Sequence, residues 1–251
     1  MFPFWDPVIA PAIRAVDARR IVEIGALRGD TTIRMLDELG PDAELHVIDP
    51  VPAFDPTDHE KAFPGQYLFY RELSHRVLPS LPAMDVALVD GDHNWFTVYH
   101  ELHHLAETSR AADQPLPLLI LHDVGWPYGR RDLYYDPETI PEEFRQPYTQ
   151  AGIMPGKKEL AFVGGLNPTM NNAVEEGGPR NGVMTALDDF IDEYDHPLRK
   201  LVIPIYFGLA IVADERRLAD HPRLTDFLDW LETAEDAASC STSRRTCGCG
   251  R

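Results

Sequence analysis

The stretch IVEIGALRGDTTIRMLDELG, residues 21–40, decides the fold of this chain. Its apolar start at residues 21–24 stops at Gly25, and apolar residues at helical spacing follow Gly29 as far as Gly40. This order predicts a strand, a glycine turn and a helix. Further apolar runs typical of strands lie at residues 44–49, 67–70, 85–90 and 116–121. Apolar strands alternating with helices predict an α/β fold with a doubly wound, mainly parallel sheet.

Composition sets the size of the folded unit and its class of partner. The chain has 251 residues, 44% of them hydrophobic, which is enough for one domain, predicted here over residues 1–239. Its 23 basic and 41 acidic residues give a net charge of −18, which opposes binding to nucleic acid or to anionic membrane surfaces. No apolar run approaches the roughly 20 residues that a membrane span needs, and the N-terminus lacks a secretory pattern. We therefore expect a cytoplasmic protein.

The last segment, residues 240–251, differs from the rest. It contains all three cysteines, Cys240, Cys247 and Cys249, among Ser, Gly and Arg residues without periodicity. We predict a disordered tail. Cysteines confined to such a tail cannot cross-link the core, which fits a reducing compartment.

Polar residues recur where the predicted strands end. They are Glu23, Asp49, Asp90 and the adjacent pair His122 and Asp123. In open α/β sheets, ligands bind outside the carboxyl ends of the strands, near the point where the strand order reverses. The repetition therefore predicts a functional rim at this edge of the sheet.

The glycine turn indicates which ligand the rim binds. Gly25 and Gly29 stand at the ends of GALRG, and no glycine lies between them, so the loop differs from the dinucleotide fingerprint. A loop of this kind suits a ligand without a pyrophosphate. Asp49, about 20 residues further on, is placed to hold the hydroxyls of a ribose. An adenosine without phosphate, such as S-adenosylmethionine, satisfies both observations.

These motifs resemble a known family. VEIGALRGDTT is similar to motif I of class I S-adenosylmethionine-dependent methyltransferases, and HVIDP resembles the acidic strand end that follows it. The resemblance covers roughly residues 20–125 and continues more weakly in NGVMTALDDFIDEY and KLVIPIYFGLAIVAD. It implies a Rossmann-like, seven-stranded sheet whose last two strands include an antiparallel one. The branch that the chain most resembles is the macrocin-type sugar O-methyltransferases, whose members often need magnesium.

The resemblance also implies roles for the rim. Glu23 would lie by the methionine portion of the cofactor, and Asp49 would bind its ribose. The full cofactor-binding set is Glu23, Gly25, Ala26, Gly29, Asp49 and Asp90. Carboxylates on neighbouring strand ends can share one hard divalent cation, so Asp90 and Asp123 are the preferred ligands of Mg²⁺ or another divalent ion. His122 completes the implied ligand set, although imidazole favours softer metals than magnesium.

His93 is the candidate catalytic base. It lies three residues after Asp90, and the ordinary pKa of an imidazole is close to neutral pH. The similar sugar methyltransferases carry a histidine at this spacing. The alternative is a loop or capping histidine bonded to a backbone carbonyl. Asp92 would either orient His93 or cap the helix predicted from Asn94.

That helix, over about residues 94–110, contains a second motif. His100, Glu101 and His104 match the HExxH pattern of zinc proteases. At about 100° per residue, both histidines project away from the apolar side and toward solvent. That apolar side consists of Val98, Leu102, Leu105 and Ala106. A catalytic zinc needs a third ligand and a cleft, so we expect the match to be accidental.

A long segment rich in Pro, Gly and aromatic residues follows Asp123. We predict that residues 124–181, the lid segment, cover the substrate. Arg130 and Arg131 could contact the acceptor. The segment could instead form a subunit contact in a homo-oligomer. Near the C-terminus, residues 216–237 are typical of one amphipathic helix packed on the domain.

Together these observations predict an S-adenosylmethionine-dependent O-methyltransferase. Its substrate would be a hydroxylated small molecule, such as a sugar of a glycosylated metabolite, and a divalent cation would take part. Two alternatives stay open: a zinc-dependent hydrolase built on the HExxH pattern, and a noncatalytic nucleoside-binding module.

Overall fold

The computed structural model describes residues 1–233, in which strands alternate with helices. The strands are β1 (Arg20–Ile24), β2 (Glu44–Ile48), β3 (Tyr67–Tyr70), β4 (Val86–Val89), β5 (Leu118–His122), β6 (Leu133–Tyr134), β7 (Tyr148–Gln150), β8 (Asn171–Ala173), β9 (Leu198–Ile203) and β10 (Leu209–Asp214). The helices are α1 (Ala10–Ala15), α2 (Asp30–Glu38), α3 (Thr57–Ala62), α4 (Ser74–Val77), α5 (Trp95–Ala111), α6 (Val183–Glu193) and α7 (Glu215–Asp220). A last helix is described over residues 222–233. The predicted disordered tail and the domain end at residue 239 lie outside the described residues.

One seven-stranded sheet organises the molecule, in the order β3-β2-β1-β4-β5-β10-β9. β10 pairs antiparallel with both of its neighbours, and every other neighbouring pair is parallel. This confirms the predicted mainly parallel sheet with one antiparallel strand. The strand order reverses between β1 and β4, so a crevice is expected outside their carboxyl ends.

Helices cover both faces of the sheet. Ile21 of β1 belongs to a buried cluster that includes residues of α1, α2 and the last helix. Val22, the next residue, belongs to a second cluster with α5 and α6 on the other face. This alternation follows from the side-chain period of a strand, and it explains why β1 has apolar residues on both faces of the sheet.

The lid segment has more regular structure than its sequence indicates. Strands β6, β8 and β7 form a small antiparallel sheet within it. Asp132, which is fully buried, accepts hydrogen bonds from the backbone N–H groups of Trp95 (2.8 Å) and Gly182 (2.6 Å). These two contacts fix the segment to the starts of α5 and α6.

The single helix predicted over residues 216–237 is wrong in one respect. α7 ends at Asp220, His221 is not helical, and the chain becomes helical again at Pro222. Proline has no N–H to donate to a preceding turn, so it begins a helix and does not continue one. No helix among residues 1–233 is long and apolar enough to cross a membrane.

Candidate functional site

The glycine turn after β1 packs directly against the end of β4. Gly25 has a φ of +85°, and a Cβ atom on it would lie 2.4 Å from both the Asp90 carbonyl oxygen and the Gly91 Cα atom. No side chain fits this space, and only glycine adopts this φ without strain. Gly29, with a φ of +77°, precedes α2 as its N-cap. Gly25 therefore joins the predicted cofactor loop to the strand end that carries Asp90.

Asp49, predicted to bind a ribose, holds this turn in place. Its Oδ2 accepts hydrogen bonds from the N–H groups of Ala26 (3.0 Å) and Leu27 (2.8 Å), and its Oδ1 accepts one from Val51 (2.8 Å). A carboxylate has about four lone-pair positions, so one position on Oδ1 remains for a ligand hydroxyl. Binding of both ribose hydroxyls requires one of the turn contacts to open.

Glu23 lies in β1 just before the turn and is buried. The hydroxyl of Thr32 donates a hydrogen bond to its Oε2 (2.5 Å). Burial raises the pKa of Glu23 to about 8 against the effect of this hydrogen bond, and the carboxylates of Asp90 and Asp49 act in the same direction as burial. The ammonium group of Met1 lies 3.0 Å from Asp90 Oδ2. At neutral pH Glu23 is therefore protonated and uncharged, and Asp90 carries the negative charge on this side of the crevice.

Four predicted site residues meet at the ends of β4 and β5, and we call them the Asp–His cluster: Asp90, His93, His122 and Asp123. His122 Nδ1 lies 3.1 Å from Asp90 Oδ1 and 3.0 Å from Asp123 Oδ2. His93 Nε2 lies 2.9 Å from Asp123 Oδ2 and 3.8 Å from Asp90 Oδ1. This buried Nε2 has close ionic contacts but no aligned hydrogen bond. The sequence thus located all four side chains, and the sheet order brings them together.

The charges of the cluster differ from those of isolated side chains. Burial disfavours the charged form of His122, but its hydrogen bonds to Asp123 and Asp90 prevail and raise its pKa to about 9. Burial of His93 is likewise outweighed by Asp123 and Asp90, so its pKa lies well above 6.5. Burial opposes ionisation of Asp123, yet the two histidines lower its pKa to about 2, and the pKa of Asp90 is lowered in the same way.

At neutral pH the cluster therefore holds two imidazolium and two carboxylate groups. In this state of the protein the pKa of His93 lies above the ordinary value of an imidazole, because two carboxylates lie against the ring. His93 must lose a proton before it can act as a base.

Two tyrosines of the lid segment enclose His93, and the sequence did not single them out for this role. The Tyr128 ring lies 5.7 Å from the His93 ring at an angle of 28°, and the Tyr135 ring lies 5.8 Å from it. The Tyr135 hydroxyl lies 3.2 Å from His93 Nδ1. The aromatic richness of the lid segment was the available signal. The alternative interpretation required a hydrogen bond between the His93 ring and a backbone carbonyl. The ring contacts the Tyr135 hydroxyl instead.

Asp92 does not take either of the roles predicted for it. Its carboxylate accepts hydrogen bonds from the backbone N–H of His93 (3.0 Å) and the hydroxyl of Thr97 (3.0 Å), so it does not orient the His93 ring. The N-cap of α5 is Asn94, whose side chain accepts a hydrogen bond from Thr97 N–H (2.9 Å).

The HExxH pattern does not form a metal site. Glu101 is fully buried and accepts a hydrogen bond from the Ser74 hydroxyl (2.5 Å), so it points away from both histidines of the pattern. His100 Nδ1 contacts the carbonyl oxygen of Phe96 (2.7 Å), and its ring packs against Phe144. Both histidines are half-buried and do not project into open water as predicted. Glu101 has a structural role as the buried partner of Ser74, so the match to the zinc-protease pattern is accidental.

Within the described part of the chain, one group of three residues converges as metal ligands would. Ligand atoms of Asp90, His93 and Asp123 all lie within 4.8 Å of one another. This group shares both carboxylates with the predicted set but contains His93 in place of His122.

Neither arginine predicted to contact the acceptor is free to do so. Arg131 is fully buried and donates hydrogen bonds to the carbonyl oxygens of Val174 (2.9 Å) and Lys158 (2.5 Å). Arg130 is exposed but forms an ion pair with Asp188 (2.5 Å). Both stabilise the lid segment or its junction with α6.

Comparison with known proteins gives matches among solved structures alone. No family model and no curated protein matches this chain. The methyltransferase PaMTH1 from Podospora anserina, with SAH bound, is 14% identical over 81% of this chain and 76% of that one, with a TM-score of 0.48. An O-methyltransferase from Bacillus cereus in complex with SAH is 14% identical, with 82% and 78% covered and a TM-score of 0.48. The O-methyltransferase TomG from Streptomyces achromogenes, in complex with SAM, is 14% identical, with 82% and 77% covered and a TM-score of 0.46. Similarities this weak leave the reaction to be argued from the residues themselves.

Proposed function

We propose that this protein is an S-adenosylmethionine-dependent O-methyltransferase that acts on a hydroxyl group of a small molecule, such as a sugar of a glycosylated metabolite. One observation carries the proposal: Asp90 connects two parts of the rim. Its backbone packs on Gly25 of the glycine turn, and its carboxylate belongs to the Asp–His cluster. A cofactor bound over the turn would present its reactive group to the cluster.

The cofactor would bind to six residues: Glu23, Gly25, Ala26, Gly29, Asp49 and Asp90. The ionised carboxylate of Asp90 suits a cationic sulfonium or ammonium group, and the neutral carboxyl group of Glu23 could donate or accept a hydrogen bond beside it. Oδ1 of Asp49 retains a position for a ribose hydroxyl. A turn without a middle glycine suits an adenosine without phosphate.

His93 would accept the proton of the acceptor hydroxyl, after losing the proton that its contacts with Asp123 and Asp90 favour. Methyl transfer forms a bond between the acceptor oxygen and the methyl carbon, breaks the bond from that carbon to sulfur, and leaves a thioether. The hydroxyl proton must leave the oxygen, and His93 Nε2 is a buried nitrogen without an aligned hydrogen bond. Asp123, 2.9 Å away, would stabilise the resulting imidazolium.

A divalent cation fits the Asp–His cluster. Asp90 and Asp123 offer oxygen ligands, and the convergence within 4.8 Å favours His93 over His122 as the third ligand. When bound, such a cation would polarise the acceptor oxygen and ease the loss of its proton. Two carboxylates with one imidazole suit Mn²⁺ or Fe²⁺ as well as Mg²⁺. His93 cannot ligate a cation and accept a proton through the same atom, so these roles are alternatives.

The cofactor assignment is tested by calorimetric titration with S-adenosylhomocysteine. We expect saturable binding at one site, weakened about tenfold in Asp49→Asn through the loss of a charged acceptor. Asp55→Asn, an exposed aspartate on the same side of the sheet, is the matched control and should bind like the wild type. A folded protein that binds no S-adenosylhomocysteine would remove the basis of the proposal.

The two roles of His93 are separated by Mn²⁺ titration of His93→Ala and His122→Ala. If His93 is a ligand, its loss should weaken Mn²⁺ binding by about 10–100-fold, whereas loss of His122 should have a smaller effect. The opposite order would restore the ligand set predicted from the sequence and leave His93 as the base. Asp123→Asn should weaken binding in either case, and wild-type affinity in that variant would remove the metal site.

A further inference from the structure

An apolar groove of about 550 Å³ lies beside the Asp–His cluster. Its walls consist mainly of Trp126, Val202, Pro204, Tyr206 and Phe207, and no charged residue lines it. Sites for small organic ligands have volumes of about 300–1,000 Å³ and are mostly apolar. In a chain with a net charge of −18, an uncharged concave surface favours an uncharged, apolar occupant.

Two wall residues of the groove contact His122 of the cluster. The carbonyl oxygen of Tyr206 lies 3.0 Å from His122 Nε2, and the Phe207 ring lies edge-on, 6.5 Å from the His122 ring. Trp126, on the opposite wall, lies three residues after Asp123. A molecule in the groove therefore lies next to the side of the cluster that His122 forms.

The backbone keeps two aromatic rings at the surface at an energetic cost. Tyr206 has a φ of 46° and Phe207 a φ of 69°, which are unfavourable for bulky side chains. The N–H of Gly125 donates a hydrogen bond to the Phe207 carbonyl oxygen (2.6 Å) and fixes this conformation. The side chains are nevertheless 62% and 46% exposed, so the strain is not compensated by burial in the core. Strain of this kind is typical of ligand sites.

A second copy of the chain is a less suitable occupant. β9 forms one wall of the groove and one edge of the sheet. Arg199 on this strand pairs with Asp229 (2.7 Å), and Lys200 pairs with Asp188 (2.8 Å). Charged residues on an edge strand oppose pairing with another strand, and two chains of charge −18 repel each other.

We propose that the groove binds the acceptor, and that the acceptor carries a flat apolar ring system next to its hydroxyl group. This inference rests on the proposed function for the chemistry at the hydroxyl. The flat face would pack against the rings of Trp126 and Phe207, while the hydroxyl reaches the Asp–His cluster. A sugar is a suitable acceptor when it is attached to a flat apolar ring system.

The test compares an aromatic probe with its saturated counterpart, whose rings are puckered and whose hydroxyl is an alcohol and not a phenol. Calorimetry of the cofactor-free protein with 2-naphthol and with decahydro-2-naphthol uses the same hydroxyl position on an aromatic and on a saturated ring pair. We expect the Kd of 2-naphthol to be about tenfold lower, because only the flat ring stacks on the aromatic walls. Equal affinities, or no binding of 2-naphthol, would overturn the proposal.

The variant Phe207→Gly locates the binding. Glycine accepts a positive φ without strain, so we expect no loss of stability to urea but binding of 2-naphthol about tenfold weaker. Trp230→Ala, an exposed aromatic residue outside the groove, is the matched control and should bind like the wild type. Wild-type affinity in Phe207→Gly would overturn the proposal. The proposal would also be overturned if sedimentation showed that the wild type is a dimer and Phe207→Gly is a monomer. A second copy of the chain would then cover the groove.

Titration of the same protein with S-adenosylhomocysteine separates the two proposals. Binding of 2-naphthol without S-adenosylhomocysteine would keep the groove as a site for flat apolar molecules and remove the methyltransferase function. If the protein binds S-adenosylhomocysteine but not 2-naphthol, the methyltransferase function stands and the groove is not the acceptor site.

Discussion

Substitution of Glu101 by glutamine is expected to make the free energy of unfolding less dependent on pH. Glu101 is fully buried, with the Ser74 hydroxyl at its Oε1 (2.5 Å) and no partner at its Oε2 among the described residues. Burial raises its pKa from 4.5 to about 8. At neutral pH its carboxyl group is therefore protonated in the folded protein and ionised in the unfolded chain.

The sign and size of the effect follow from proton linkage. Because the pKa of Glu101 is higher in the folded state, that state binds more protons, and stability falls as the pH rises from 4.5 to about 8. Each pH unit in this window removes about 1.4 kcal/mol. Between pH 6 and pH 9, about two pH units lie below the folded pKa, so Glu101 destabilises the wild type by about 3 kcal/mol over that range. Glutamine does not ionise and contributes no such loss.

Urea unfolding of both proteins at pH 6 and pH 9 measures this difference. The amide introduces a buried N–H group that costs about 1–3 kcal/mol at both pH values, so the change between the two pH values isolates the ionisation. We expect Glu101→Gln to gain about 3 kcal/mol on the wild type from pH 6 to pH 9. Glu107→Gln, exposed on the same helix, should follow the wild type. If Glu101→Gln also runs parallel to the wild type, the buried neutral carboxyl group is refuted.

Three other substitutions test the supports of the site. Gly25→Ala would place a Cβ atom 2.4 Å from a β4 carbonyl oxygen at a φ of +85°; we expect a loss of at least about 2 kcal/mol in urea unfolding, and unchanged stability would contradict the close packing. Asp132→Ala leaves two backbone N–H groups at the starts of α5 and α6 unpaired; we expect a loss of about 3 kcal/mol and faster proteolysis in the lid segment, and a wild-type cleavage rate would argue against the anchor. Tyr135→Phe removes the hydroxyl at His93 Nδ1; the ¹⁵N imidazole resonances of His93 should shift at an unchanged unfolding midpoint, and an unchanged spectrum would exclude the contact.

The main sheet could be predicted because its strands are buried on both faces. Residues 21–24, 44–48 and 86–89 are rich in apolar residues, and each range lies in a strand. The antiparallel strand was predicted through a family resemblance, since periodicity does not reveal strand direction. The small sheet of the lid segment has strands of two or three residues joined by polar contacts, so it leaves no apolar pattern. Pro222 marks the helix break in the sequence, because proline has no backbone N–H to donate to a preceding turn.

The residues of the site were easier to predict than their partners. Asp90 and Asp123 follow apolar strands, and neighbouring parallel strands necessarily bring their carboxyl ends together. Tyr128 and Tyr135 come from a segment whose path depends on long-range contacts, such as the hydrogen bond from Leu133 N–H to the His93 carbonyl oxygen (3.0 Å). No local pattern encodes such a contact. Composition likewise did not show that Arg131 would be buried.

The charge of His93 shows most clearly why the chemistry of the site needs the tertiary structure. In the sequence, His93 is a histidine of ordinary pKa, suited to accept a proton near neutral pH. In the fold, Asp123 lies 2.9 Å and Asp90 lies 3.8 Å from its Nε2, and the imidazole holds its proton. The same two carboxylates are the predicted cation ligands, so a cation at Asp90 and Asp123 would compete with that proton. The ability of His93 to accept a proton therefore depends on whether a cation is bound to Asp90 and Asp123. For this reason the variants of His93 and Asp123 should be compared with and without Mn²⁺.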